Sequence, residues 1–166
     1  MTVTADQNVT VDLSVTTVER VQIAVKRLPA SAGLALPEYQ TAGAAGMDLV
    51  AAVETNVTLQ PGEITRIPTG LTIAIPAGWE AQIRPRSGIA VKHGITLPNA
   101  PATIDSDYRG EIQVPLINLG RIAFTVERGM RIAQLIFARV GAATLVEVDE
   151  LPSTDRGASG FGHTGI

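Results

Sequence analysis

Four short segments of this chain hold the side chains best suited to chemistry, and each interrupts an alternating or apolar run with polar or glycine-rich residues. Functional loops carried on a rigid scaffold have this look. In Arg84-Pro85-Arg86-Ser87-Gly88, a guanidinium, a hydroxyl and an approachable glycine amide would suit an anionic oxygen such as that of a phosphate. A solvated turn with a helix cap would use the same residues. In Thr103-Ile104-Asp105-Ser106-Asp107-Tyr108-Arg109-Gly110-Glu111, the spacing predicts a hairpin with a carboxylate at the end of its first arm, and Glu111 to Val114 returning as a strand. Local turn hydrogen bonding accounts for Asp105 when it is taken alone. The tail Arg156-Gly157-Ala158-Ser159-Gly160-Phe161-Gly162-His163-Thr164-Gly165 could turn backbone amides toward anionic oxygens or remain a loose terminus, and Phe161, with no core to join, could stack on a planar base. Finally, Asp48 stands in the apolar run Ala45-Gly46-Met47-Asp48-Leu49, where an unpaired carboxylate would cost several kcal/mol. An arginine or a metal ion would meet that need.

Other chemistries are excluded by what the chain lacks. There is no cysteine, hence no thiol nucleophile, disulfide or thiolate metal site. His93 and His163 are the only histidines and have no metal-ligand spacing, while Ser87 lacks the Gly-x-Ser-x-Gly setting of a serine hydrolase. No P-loop or dinucleotide fingerprint occurs.

The elements that must position these segments are strands. Branched residues recur with a period of two at Val9, Val11, Leu13 and Val15, at Val21, Ile23 and Val25, at Leu71, Ile73 and Ile75, and at Ile112, Val114 and Leu116. Turn chemistry at Pro61-Gly62, Pro76-Ala77-Gly78 and Arg128-Gly129 keeps the strands short, which predicts a sandwich, jelly roll or barrel. One short helix is expected over Ser87 to Lys92, with Gly94 after its end. The 166 residues suit a single domain, with 45% apolar and 17% charged residues, a globular balance. We expect residues 1–20 as an N-terminal extension, 21–152 as the β-barrel and 153–166 as a flexible lid. A net charge of −3 disfavours a nucleic-acid face, and no window approaches the roughly 18 apolar residues of a membrane span. A cytoplasmic protein is expected.

Taken in order with Met130-Arg131-Ile132-Ala133-Gln134-Leu135, the four segments resemble the five ordered motifs of the trimeric dUTP pyrophosphatase family, over about residues 21–165. The resemblance implies an all-β, jelly-roll-like barrel and a homotrimer with active sites between subunits. It also implies hydrolysis of dUTP to dUMP and diphosphate by water attack on the α-phosphorus, with Mg²⁺ as cofactor. It gives Asp105 the role of the base on that water, and Tyr108 that of a ring beneath the deoxyribose. Asn99 and the backbone through Thr103 and Ile104 to Asp105 would read the uracil, and Gln113, opposite Ile104 if the hairpin is tight, would also face the nucleoside. Arg86, Ser87, Gly88 and Gln134 would hold phosphates, and Asp48 would meet the metal through water. Arg156 would reach the γ-phosphate, Phe161 would cover the base and Gly162 would wrap phosphate. Ala102 departs from the family pattern, which generally has glycine there. Two alternatives are a dCTP deaminase, which shares the fold and would need a suitably placed glutamate, and a nucleotide-sensing module with little turnover.

Overall fold

In a computed structural model of the chain, the structure describes residues 19–159 and the backbone of 2–5 and 9–12. The strands begin with β1 (Thr2–Ala5), β2 (Val9–Asp12), β3 (Ala24–Arg27), β4 (Met47–Val50), β5 (Val57–Leu59), β6 (Ile64–Pro68) and β7 (Leu71–Ala74). They are followed by β8 (Trp79–Pro85), helix α1 (Ser87–His93), β9 (Ile95–Thr96), β10 (Ala102–Ile104), β11 (Gln113–Asn118), β12 (Phe124–Val126) and β13 (Arg131–Arg139). Every strand pair is antiparallel. The fold is the jelly-roll-like β fold that the family resemblance implied, one of the three architectures that the alternation and turns allowed.

Two sheets frame the interior. One has the order β10-β8-β13-β4 and the other β6-β11-β9, with the pairs β12-β5, β3-β7 and β1-β2 beside them. The period of two turns one face of each strand inward. Leu49, Ile83 and Leu135 of the first sheet are buried, as are Ile67, Val114 and Leu116 of the second, and all belong to one core cluster. Burying each such side chain is worth about 1.5–3 kcal/mol relative to leaving it exposed. The edge strand β3 is exposed along its length, Val25 included, while Ile23 just before it packs against the core, so the alternation of Val21, Ile23 and Val25 marks a partly buried face only as far as Ile23 in the single chain.

The pairing corrects one sequence expectation. β10 pairs with β8, setting Thr103 opposite Gln82, whereas β11 pairs with β6 and β9, setting Gln113 opposite Pro68. Residues 103–114 are therefore not a hairpin. They form an arch that leaves one sheet and enters the other, closed by a bond from the Tyr108 amide to the Asp105 carbonyl. The turn chemistry was read correctly, but a local sequence pattern does not say which strand each arm will pair with. Gln113 is not opposite Ile104.

A second irregularity lies in β13. Arg131 faces Val50 and Ala133 faces Leu49 of β4, so Ile132 is one residue too many, a β-bulge. In a regular strand, residues 131 and 134 would point to opposite faces. The bulge buries both Ile132 and Ala133 and places Arg131 and Gln134 on the same outer face as Asp48.

Candidate active site

The outer face of the four-stranded sheet carries the first group of predicted residues. Gln134 lies opposite both Asp48 of β4 and Arg84 of β8, and two positions after Arg84 the strand delivers Arg86 to the mouth of α1. Helix α1 begins at Ser87, as expected, and stops where Gly94 takes a left-handed conformation with φ 72°. Arg86 occupies the cap position, but its side chain does no capping. Instead its Nε donates to Asp48 Oδ1 at 2.9 Å and its Nη1 to the Arg131 carbonyl at 3.3 Å, while Arg131 Nη1 donates to Asp48 Oδ2 at 3.1 Å. One nearly buried carboxylate thus gathers two guanidiniums and leaves the cluster net positive. Ser87 and Gly88 are exposed beside it, and a β-carbon on Gly88 would meet nothing within 4 Å.

The arch makes the second group. A cleft of about 280 Å³ is lined by Asn99, Thr103, Ile104, Asp105, Tyr108 and Gln113, six of the predicted residues, together with Arg66 and Glu111. Asp105 and Tyr108 are exposed in it, an accessible carboxylate beside an accessible ring. Asp48, Arg86, Ser87, Gly88 and Gln134 do not line this cleft, although Thr103 and Gln134 lie on neighbouring rows of the same sheet on either side of β8. The single chain therefore presents two half-sites. Between them along β8 runs a polar ladder, in which Gln82 donates to Glu80 and Arg84 donates to Gln82.

Arg156 belongs to neither group. Its Nε donates to the Ser159 carbonyl at 2.9 Å in an exposed turn of the tail. Phe161 and Gly162, predicted to cover the base and wrap phosphate, lie outside the described residues. A larger groove of about 760 Å³, lined by Val21, Ile23, Tyr39, Trp79 and Phe137 among others, holds none of the predicted site residues.

A family model described as dUTPase matches residues 32–165. The chain belongs to the dUTPase family. Among dUTPase relatives, it is 59% identical over 133 residues to a deoxyuridine 5'-triphosphate nucleotidohydrolase of Desulfotalea psychrophila, covering 80% of this chain and 89% of that one. A protein of the same name from Methylocella silvestris is 58% identical over 149 residues, 89% of this chain and 93% of the other. Among solved structures, the dUTPase of Staphylococcus bacteriophage 80alpha with dUPNHPP superposes with a TM-score of 0.75 at 27% identity, over 87% of this chain and 99% of that one. The dUTPase of phage phi11 of S. aureus, in a structure concerned with coordination of a structural Mg(II) ion, shares the fold at 22% identity and a TM-score of 0.70, over 78% of this chain and 98% of that one.

Against the dUTPase pattern, Ala102 is accommodated simply. It sits in β10 opposite Ile83 with its methyl in the core, so an extended strand occupies the position and no left-handed backbone is required. Two residues of this dUTPase fold were quoted in the sequence without a role, Arg131 and Glu111. Arg131 reads as an ordinary strand cation until the bulge turns it toward Asp48. Glu111 reads as the start of a strand, yet its Oε1 accepts from the Gly70 amide at 2.8 Å. A third, Arg66 of β6, enters the cleft only because β6 pairs with β11.

Proposed function

We propose that this chain hydrolyses dUTP to dUMP and diphosphate, with Asp105 as the base. The observation that carries the reading is the meeting of Asp105, Tyr108, Asn99 and the β10 edge in one cleft of a chain with dUTPase relatives at 58–59% identity. The Asp105 carboxylate accepts a proton from water as that water's oxygen bonds to the α-phosphorus. The bond from the α-phosphorus to the bridging oxygen breaks, and diphosphate leaves with the electron pair. General-base catalysis of this kind contributes about 10²- to 10⁴-fold. Asn99, Thr103, Ile104 and Gln113 form the base-reading wall, where a mismatched base would leave polar groups unpaired. Tyr108 packs against the sugar. Arg86 and Gln134, with Ser87 and Gly88, hold the phosphates, the net positive cluster around Asp48 supplying the field. The tail brings Arg156, Phe161 and Gly162 over the substrate.

Magnesium fits as an ion that arrives with the triphosphate. Among the described residues there is no group of three or more His, Cys, Asp or Glu able to cage a metal, and no buried side-chain polar atom lacks a partner. Mg²⁺ keeps several waters and takes oxygen ligands from substrate phosphates. Asp48, with both oxygens already bonded to arginines, would offer its remaining lone pairs to such waters. When bound, the ion would draw charge from the phosphate oxygens.

The functional unit in this reading is a homotrimer in which the arch of one subunit faces the Asp48 cluster of another. The separation of the half-sites supports this, as do the apolar groove and the exposed Leu145, Val146 and Leu151, since a lone soluble chain seldom exposes so much apolar surface in one stretch. Hydrolysis of dUTP in the cytoplasm would limit uracil in DNA and supply dUMP. Among the described residues no helix is long and apolar enough to cross a membrane.

The test is to incubate the protein with each deoxynucleoside triphosphate and Mg²⁺ and measure diphosphate. Release from dUTP alone is expected; ammonia from dCTP, or binding without turnover, would overturn the reading. Glu111, the glutamate in the cleft, is bonded through its carboxylate to the Gly70 amide, which makes it a poor candidate for deamination. Asp105→Asn should lower kcat by about 10²- to 10⁴-fold while a non-hydrolysable dUTP analogue still binds.

A further inference from the structure

We propose that Gly110 and Glu111 determine the sugar selectivity of the site by fixing the Tyr108 ring as a rigid wall. The inference rests on the reading above, in which Tyr108 meets the sugar. Tyr108 is 46% exposed, so the core alone does not hold its ring in place. Its neighbours do. The Tyr108 hydroxyl donates to the Glu111 carbonyl at 3.1 Å, which folds the ring back across Gly110. A β-carbon on Gly110 would run into the hydroxyl, Cζ and Cε2 of that ring. Gly110 is not among the glycines with positive φ, so what the position requires is space and not a left-handed backbone.

The carbonyl that holds the ring is itself anchored. Glu111 Oε1 accepts from the Gly70 amide at 2.8 Å. The next residue, Ile112, donates to the Leu71 carbonyl at 2.8 Å and accepts from the Thr69 amide at 3.2 Å and the Thr69 hydroxyl at 2.6 Å. Thr69, Leu71 and Ile112 are all buried. On the other side, the Tyr108 amide is bonded to the Asp105 carbonyl, and Arg109 Nη1 curls back to the carbonyls of Ser106 and Tyr108 at 2.7 Å each. An exposed ring is thus tied to the buried turn at Thr69–Leu71 through Glu111. A wall held this way refuses an extra hydroxyl on the sugar, whereas a ring free to swing would make room for it. Ribose against deoxyribose is the difference it reads.

The experiment compares kcat/KM for dUTP and for UTP in the full chain and in Gly110→Ala, Glu111→Ala, Glu111→Gln and Tyr108→Phe. The ratio of the two is measured on one preparation, so a smaller folded fraction cancels. The ratio should fall about tenfold or more in Gly110→Ala and Glu111→Ala. Tyr108→Phe, which removes only the hydroxyl, should lower it about threefold. Glu111→Gln, whose amide oxygen still accepts from Gly70, should keep it. Ratios within twofold of the parent in the variants that remain active would overturn the proposal, and Tyr108→Phe decides alone if the other two fail to fold. A parent chain that does not hydrolyse dUTP would instead sink the functional reading.

Discussion

Replacing Asp48 by Ala separates two roles for that carboxylate, gathering arginines and meeting a metal. The side chain is 10% exposed and bonds Arg86 at 2.9 Å and Arg131 at 3.1 Å, with partner exposures of 23% and 54%. Alanine removes both acceptor oxygens. A hydrogen bond to a charged group is worth roughly 1.5–3 kcal/mol. The Arg86 arm, sheltered, should forfeit about 2 kcal/mol of that. The Arg131 arm is more than half exposed, so solvent screening holds it to about 0.5 kcal/mol. The expected loss is then about 2.5 kcal/mol, or a fall in Tm of roughly 5–10 °C for a chain of this size. Urea and thermal unfolding should be run in chelator, without nucleotide. Stability within about 0.5 kcal/mol of the parent under those conditions, with a defect appearing only when Mg²⁺ and nucleotide are added, would refute the arginine-gathering argument.

Two further outcomes follow from other parts of the molecule. Asn118 is fully buried, donates to the carbonyls of Leu59 and Ile122 and accepts from the Gly120 amide. Asn118→Ala should therefore destabilise by about 3 kcal/mol, read as a lower urea midpoint at constant slope. Glu19 is exposed and bonded to Arg139, which stacks 5.0 Å from the Trp79 ring. The hydrogen bond from Arg139, opposed by desolvation and aided by the Arg139 charge, holds the Glu19 carboxyl below the ordinary range. A lowered folded pKa means that the stabilisation is present above the unfolded value and is lost as pH falls through the folded one. Carboxyl NMR titration should show a Glu19 midpoint below that of a free glutamate, and Arg139→Met should return it to the ordinary value.

The strands were legible because alternation is a local property. Leu71 and Ile73, or Val114 and Leu116, announce a buried face without reference to any partner, and all four are buried. The short helix was legible for the same reason, Gly94 marking its end. Pairing is not local, and here the sequence misled. Thr103 and Gln113 flank a turn that reads as a hairpin, yet they enter different sheets, because β8 and β6 offer the edges that bury Ile104 and Val114. The site residues of the arch could be named because they are contiguous, so their meeting in one cleft needed little tertiary information. Arg131 could not be given a role, since nothing in Met130-Arg131-Ile132-Ala133 announces a bulge. Asp48 was read as needing a partner, and only the fold shows that it has two.

That bulge at Ile132 also bears on what a change in chain length would cost. Deleting one of the two residues between Arg131 and Gln134 would restore regular pleating and still leave both on the outer face, but the core would lose one of the two side chains that the bulge buries. The extra residue is therefore a packing device: it lets Ile132 and Ala133 both reach the core without turning either polar neighbour inward, so substitutions there should be judged by the volume they keep.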